Sequence, residues 1–112
     1  MLKIKRVYEK PESSDRLRIL VDRLWPRGLT KEKAKIDKWM KEIAPSDNLR
    51  KWFGHQEERW QEFIRHYQEE LKNKGDLLSE LKSLSKRSTV TLLYAAKDKK
   101  RNNAVVILGA LK

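Results

Sequence analysis

The chain has 112 residues and a mass of 13.4 kDa, enough for one domain of the usual size with a core of its own. Its 27 Lys/Arg against 16 Asp/Glu give a net charge of +11 and a pI near 10.0, which favours anionic partners without naming one. Having no cysteine, it has no disulfide scaffold, thiolate zinc site or thiol nucleophile, and no apolar run approaches the roughly 18 residues of a membrane span. Met1-Leu2-Lys3-Ile4-Lys5 lacks the long apolar stretch of a signal peptide, so the expectation is a soluble, cytoplasmic protein with no membrane partner.

Leu2 to Tyr8 alternates partly, with Leu2, Ile4, Arg6 and Tyr8 on one side, as in a strand with one wet face near a sheet edge. After the polar turn Pro11-Glu12-Ser13-Ser14-Asp15 comes Leu17-Arg18-Ile19-Leu20-Val21, a short run suited to a central strand. Pro26 and Gly28 then force a loop, and Thr30 can cap a short helical turn. Ile36, Trp39, Met40 and Ile43 fall at helical spacing, although the brevity of the segment and Pro45 leave a strand open.

Ser46 is a good N-cap for a helix that Gly54 would end. Gln56 to Lys74 carries the clearest helical stripe, Trp60, Phe63, Ile64, Tyr67 and Leu71, with Gly75 expected just beyond its end. Asp76 is expected to cap a further helix with Leu77, Leu78, Leu81 and Leu84 inward. Thr89 to Ala96 is β-branched and then apolar throughout, as in a strand covered on both faces. Asn102 or Asn103 can cap a last helix over 104–110, whose Val and Ile also fit a strand. Strands separated by helices predict a small single-domain α/β layered fold over residues 1–112, with a mostly parallel sheet flanked by helices.

Charge is uneven along this pattern. Residues 1–35 hold 11 Lys/Arg and 5 Asp/Glu, residues 36–75 hold 8 of each, and residues 76–112 hold 8 and 3. The positive excess therefore accompanies the strands, whose carboxyl ends are where ligands bind in open α/β sheets. The loop Asp22 to Gly28 combines a carboxylate, Arg23, Arg27 and the indole of Trp25. Guanidinium forks suit phosphate or carboxylate, and an indole suits a ring. The loop Lys97 to Asn103 leads basic side chains into a possible helix N-terminus, though without the glycines of a phosphate-binding loop. Trp52 and Phe53 read as core, and His66 as an exposed side chain. His55, in a turn, is the better histidine for proton transfer; with Asp22 it completes the pair of candidate proton carriers. Tyr94 ends its strand and either presents its hydroxyl to the cleft or is buried. Two histidines without ordered acidic spacing make no metal signature, and no cofactor is indicated.

The strings Leu20 to Gly28, Ala44-Pro45-Ser46, Leu49 to His55, Leu92 to Asp98 and Asn102 to Val106 resemble the YeaO-like family, domain of unknown function 488, over nearly the whole chain. The resemblance implies a compact α/β fold and a cytoplasmic prokaryotic setting, but no reaction. It also implies that relatives carry Cys and Cys-His-Arg positions after the last strand. Here Tyr94 stands near the first and Asn102-Asn103 near the second, so thiol chemistry cannot operate, while the Asp-Arg after the second strand is kept as Asp22-Arg23.

Two functional expectations follow. The first is a site for a small anionic ligand, with Asp22 and His55 as candidate catalytic groups and Arg23, Trp25, Arg27, Tyr94, Lys97, Asn102 and Asn103 as candidate binding groups. The second is a nucleic-acid-binding module driven by net charge, although no helix-turn-helix, RNA-recognition or zinc-finger signature is present.

Overall fold

Short runs free of glycine and proline form the strands, leucine, isoleucine or valine supplying the apolar positions of all but the shortest, which has two residues. The computed structural model describes residues 1–112 and contains β1 (Leu2–Arg6), β2 (Leu17–Leu20), β3 (Lys38–Trp39) and β4 (Val90–Tyr94). They lie in the order β1-β4-β2-β3, and every pair is parallel. β4 is central and buried at all five positions, which is why its sequence does not alternate. β1 occupies one edge and stays half-buried. The helices are α1 (Lys31–Ala34), α2 (Asp47–Phe53), α3 (Trp60–Leu71), α4 (Gly75–Arg87) and α5 (Asn103–Leu111). None is long and apolar enough to cross a membrane.

The period-2 alternation of the strands divides the core. Ile19, Val21, Val90, Leu92 and Tyr94 face α2, α3, α4 and α5 in the larger cluster, which also holds Phe53, Phe63, Tyr67, Leu81 and Ile107. Leu20 and Leu93 point to the opposite face and pack with Val7, Ala34 and Ile36. That second face is covered by α1 and by the β1–β2 crossover, which contains only one 3₁₀ turn, Ser13–Asp15. The crossover is held by charge. Asp15, with no exposed surface, accepts from Arg18 at 2.5 Å and from Lys5 at 3.1 Å, and its carbonyl accepts from the Thr91 hydroxyl at 2.8 Å. Burial would raise the Asp15 carboxyl, but bonds from the Glu12 N–H, Lys5, Arg18 and Lys3 outweigh it and hold the group at about 2.

Helix ends largely follow the caps. Thr30, Ser46 and Asn102 each accept a backbone N–H of the first turn of α1, α2 and α5, and Gly54 closes α2 at a φ of +49°. The cap at Asn102 helps decide residues 104–110 as helix despite their Val and Ile.

One open alternative is decided and three expectations are corrected. Residues 36–43, left between helix and strand, are not a helix: Asp37 and Met40 donate their N–H groups to Arg18 and Leu20 carbonyls, making β3 and then a 3₁₀ turn, Lys41–Ile43. The apparent stripe therefore splits, with Ile36 in the smaller cluster, Met40 and Ile43 in the larger, and Trp39 exposed on the sheet edge. Gly75 does not terminate a helix; it is right-handed (φ −56°) and opens α4 after a 3₁₀ turn, Lys72–Lys74. Asp76 consequently lies inside the first turn of α4 rather than at its cap. Phe53 is core, but Trp52 is 37% exposed, lying under the Arg59 guanidinium at 5.2 Å.

Candidate functional site

The carboxyl ends of β1, β2 and β4 open into one cleft of about 860 Å³. Three connections wall it: the loop after β2, the loop from β4 into α5, and the turn after α2. Arg6 and Tyr8, at the end of β1, close the remaining side.

Asp22 organises the floor. Its Oδ2 accepts the Ala95 N–H at 2.9 Å, and its Oδ1 accepts Asn103 Nδ2 at 3.1 Å. The same Asn103 amide donates to the Val21 carbonyl at 2.8 Å, so one side chain ties α5 to β2. Burial pushes the Asp22 carboxyl above the usual carboxylate range, against the lowering effect of the Ala95 and Asn103 bonds and the nearby His55 and Arg50.

The β2 loop is a rigid corner. Leu29 N–H closes a turn onto the Pro26 carbonyl at 3.4 Å, with Gly28 at a φ of +80° as a type II turn requires. Trp25 donates its indole N–H to the Leu29 carbonyl at 2.7 Å and sets its ring edge-on to Trp39 at 5.4 Å. Trp39 in turn donates to the Asp22 carbonyl at 2.7 Å. Gly54 and His55 are consecutive left-handed residues (φ +49° and +58°), and this sharp reversal puts His55 on the cleft wall.

Of the nine residues singled out in the sequence, Asp22, Arg23, Trp25, Arg27, His55, Lys97, Asn102 and Asn103 line this cleft. Tyr94 lies elsewhere. It is 2% exposed and shares the helix-side core with Val90 and Leu92, as strand alternation dictates, and burial raises its hydroxyl. The lining residues also differ in how free they are. Arg23 donates Nε to the Pro45 carbonyl at 3.0 Å and Nη2 to the Ala44 carbonyl at 3.2 Å, so most of its fork holds the chain leading into α2. Asn102 spends its oxygen on the Val105 N–H and its nitrogen on the Asp98 carbonyl. Arg27 and Lys97, by contrast, have exposed side chains engaged in neither a hydrogen bond nor an ion pair.

Sequence reasoning missed Arg6, Tyr8, Arg50 and Lys51 as wall residues, while Asp98 and Arg101, also in the wall, belong to the basic loop it had placed at the strand ends without being singled out there. Arg50 and Lys51 belong to the α2 string already noted for Trp52 and His55, but their helical phase, which turns them to the cleft, depends on where α2 docks. Arg50 Nε is the only buried side-chain nitrogen or oxygen in the molecule without a hydrogen-bond partner. Asp98 is consumed locally: its carboxylate accepts the Lys100 and Arg101 N–H groups and pairs with the Arg101 guanidinium at 3.3 Å. Arg101 also reaches Glu57 at 2.9 Å, tying the β4 loop to the turn after α2. No cluster of three or more His, Asp or Glu side chains stands close enough to share a metal ion.

A family model described as the inactive DUF488-N3 subclade matches residues 1–112. The chain belongs to that family. Its DUF488 relatives include the uncharacterized protein YeaO of Escherichia coli, 41% identical over 99% of this chain and 96% of its own length. The uncharacterized protein Rv3073c of Mycobacterium tuberculosis is 42% identical over 98% of this chain and 92% of its own. No solved structure matches significantly. The positions where the resemblance implies family thiols are given to architecture in this DUF488 chain. Tyr94 fills core, Asn102 caps α5 and Asn103 holds Asp22.

Proposed function

We propose that this protein binds a small phosphate- or carboxylate-bearing ligand in the cleft at the carboxyl ends of its strands, as a binding protein rather than an enzyme. The observation that carries the reading is a surplus of positive charge. Arg27, Lys51 and Lys97 line the cleft without an ion pair, and Arg50 joins them although its Nη2 pairs with Asp47 at 3.4 Å, while the two carboxylates of the cleft, Asp22 and Asp98, already hold backbone N–H groups and the side chains of Asn103 and Arg101. Cations gathered in a concave, partly desolvated site attract an anion more strongly than the same charges spread over a surface. Arg50 Nε, a buried donor without an acceptor, supports the same reading, because such a donor costs free energy until something accepts from it. Asp22 is tied on both oxygens and the chain has no cysteine, which leaves His55 as the one candidate proton carrier on the cleft wall whose side chain is not engaged, and a lone imidazole serves binding as readily as chemistry.

Calorimetric titration with inorganic phosphate, citrate and a short oligonucleotide tests this, on the native chain and on Arg27→Ala. Arg27 is exposed and its side chain supports nothing else, so the variant should fold normally. A charge-assisted hydrogen bond is worth about 1.5–3 kcal/mol, so its loss should weaken binding of the small anion by roughly 10- to 150-fold. Unchanged affinity in the folded variant would refute the site. Binding of the oligonucleotide alone, falling steeply with salt, would transfer the function to net charge and favour nucleic acid instead.

A further inference from the structure

The cleft's cations specify the sign of a ligand and little else, but its aromatic walls specify more. We propose that the ligand is a free nucleotide, its base stacked against Tyr8 and Trp25 and its phosphate held by Arg27, Arg50 and Lys97. This rests on the anion-binding reading above and narrows it.

Tyr8 is 41% exposed, one of few large apolar side chains so open, yet it is held in place. Its hydroxyl donates to the Arg27 carbonyl at 2.8 Å, and the Arg6 guanidinium lies over its ring at 4.7 Å. Arg6 is itself anchored through Nε to the carbonyls of Ala95 and Ala96, at 3.3 and 3.1 Å. Three loops thus fix the plane of one exposed ring. Trp25 is fixed likewise, through the Leu29 carbonyl and the edge of Trp39. In both rings the polar edge is satisfied by backbone, so what remains for a ligand is π surface, on Tyr8 the face opposite the Arg6 guanidinium. A ring held in place offers stacking at little entropic cost. Aromatic faces beside guanidinium and ammonium groups are the means by which proteins hold nucleotides without reading their sequence. The volume, about 860 Å³, falls within the range of small-molecule sites. Arg27, Lys51 and Lys97, none of them in an ion pair, lie in this one cleft with the aromatic rings, which suits one nucleotide better than a strand needing a continuous basic track.

The test compares AMP and UMP with ribose 5-phosphate, which keeps the charge and drops the base, by calorimetry on the native protein, Tyr8→Leu and Tyr8→Phe. Stacking one base is worth roughly 5- to 150-fold in affinity, so a nucleotide should exceed ribose 5-phosphate by that factor. Tyr8→Leu should reduce the ratio towards one while leaving ribose 5-phosphate affinity in place, and Tyr8→Phe should largely preserve it. Equal binding of nucleotide and ribose 5-phosphate by the native protein would overturn the nucleotide and leave the anion site standing. Binding of none of the three, nor of phosphate or citrate, would overturn both. A full ratio in folded Tyr8→Leu would overturn the Tyr8 platform. A short oligothymidylate that binds more tightly than either mononucleotide, with a steep loss in salt, would overturn the free nucleotide in favour of a strand. Should Tyr8→Leu fail to fold, the ratio measured on the native protein still decides.

Discussion

Asp15→Asn isolates what the charged crossover contributes, away from the cleft. The substitution keeps the shape of the side chain and removes the charge that Arg18, 4% exposed at its side chain, and Lys5, 11% exposed, are arranged around. Breaking a buried pair by removing one partner costs about 3–5 kcal/mol, because the remaining charge stays desolvated. Arg18 retains its bonds to the Ala34 and Lys35 carbonyls, which places the expectation at the lower end, about 3 kcal/mol. For a domain of this size that corresponds to a fall in Tm of roughly 12 °C. The pH dependence supplies an independent magnitude. A carboxyl held at about 2 against an ordinary 3.8 contributes roughly 2 kcal/mol to folding at neutral pH. Because the folded value is the lower one, that contribution is complete above about pH 5 and is lost as the pH falls towards 2. Urea unfolding of both proteins between pH 7 and pH 2 measures it. The gap between native chain and variant should shrink by about 1 kcal/mol at pH 3 and about 2 kcal/mol at pH 2. Ligand affinity at neutral pH should not change, because none of Asp15, Arg18 and Lys5 lines the cleft. A pH-independent gap, or one below about 1 kcal/mol throughout, would refute the account of this face as held by charge.

Three further outcomes are expected. Gly54→Ala should cost about 1 kcal/mol in urea unfolding, since its φ of +49° penalises a Cβ while the nearest atom, the Lys51 carbonyl oxygen at 3.4 Å, is only in contact; a neutral result would mean that the turn after α2 relaxes. Asn102→Ala removes the N-cap of α5 and should lower stability by about 1 kcal/mol, with amide exchange accelerated first at Val105. Asp22, raised by burial, should take up a proton above the usual carboxylate range and remove a negative charge from the cleft. Affinity for sulfate, whose own charge is constant there, should therefore rise as the pH falls through that titration. Asp22→Asn, checked for folding by circular dichroism, should flatten that part of the profile; an unaltered profile would place the titration elsewhere.

Much of this protein is legible in local chemistry. The edge position of β1, the burial of β4, the caps at Thr30, Ser46 and Asn102, and the reversal at Gly54 each depend on a few neighbouring residues, so the sequence determines them. The Asp22 to Gly28 corner belongs to the same class, since proline and glycine constrain the chain wherever it is placed. Residues 36–43 mark the limit, because a strand of two residues exists only through the carbonyls of Arg18 and Leu20, which no local window contains. Gly75 is a second case: packing carries the chain past it in a right-handed conformation that glycine permits but does not demand. The cleft depends on tertiary structure most of all. Arg6 and Tyr8 near the start of the chain, Arg50 in its middle and Asn103 near its end are far apart in sequence, and only the order β1-β4-β2-β3 brings their strand ends and α2 to one place. Tertiary structure likewise determines which cations remain free, turning Arg23 onto carbonyls of the chain before α2 while leaving Arg27 open. Periodicity and capping are local energies that sequence displays; convergence and counterion balance are sums over elements distant in the chain, and they acquire values only once the sheet has formed.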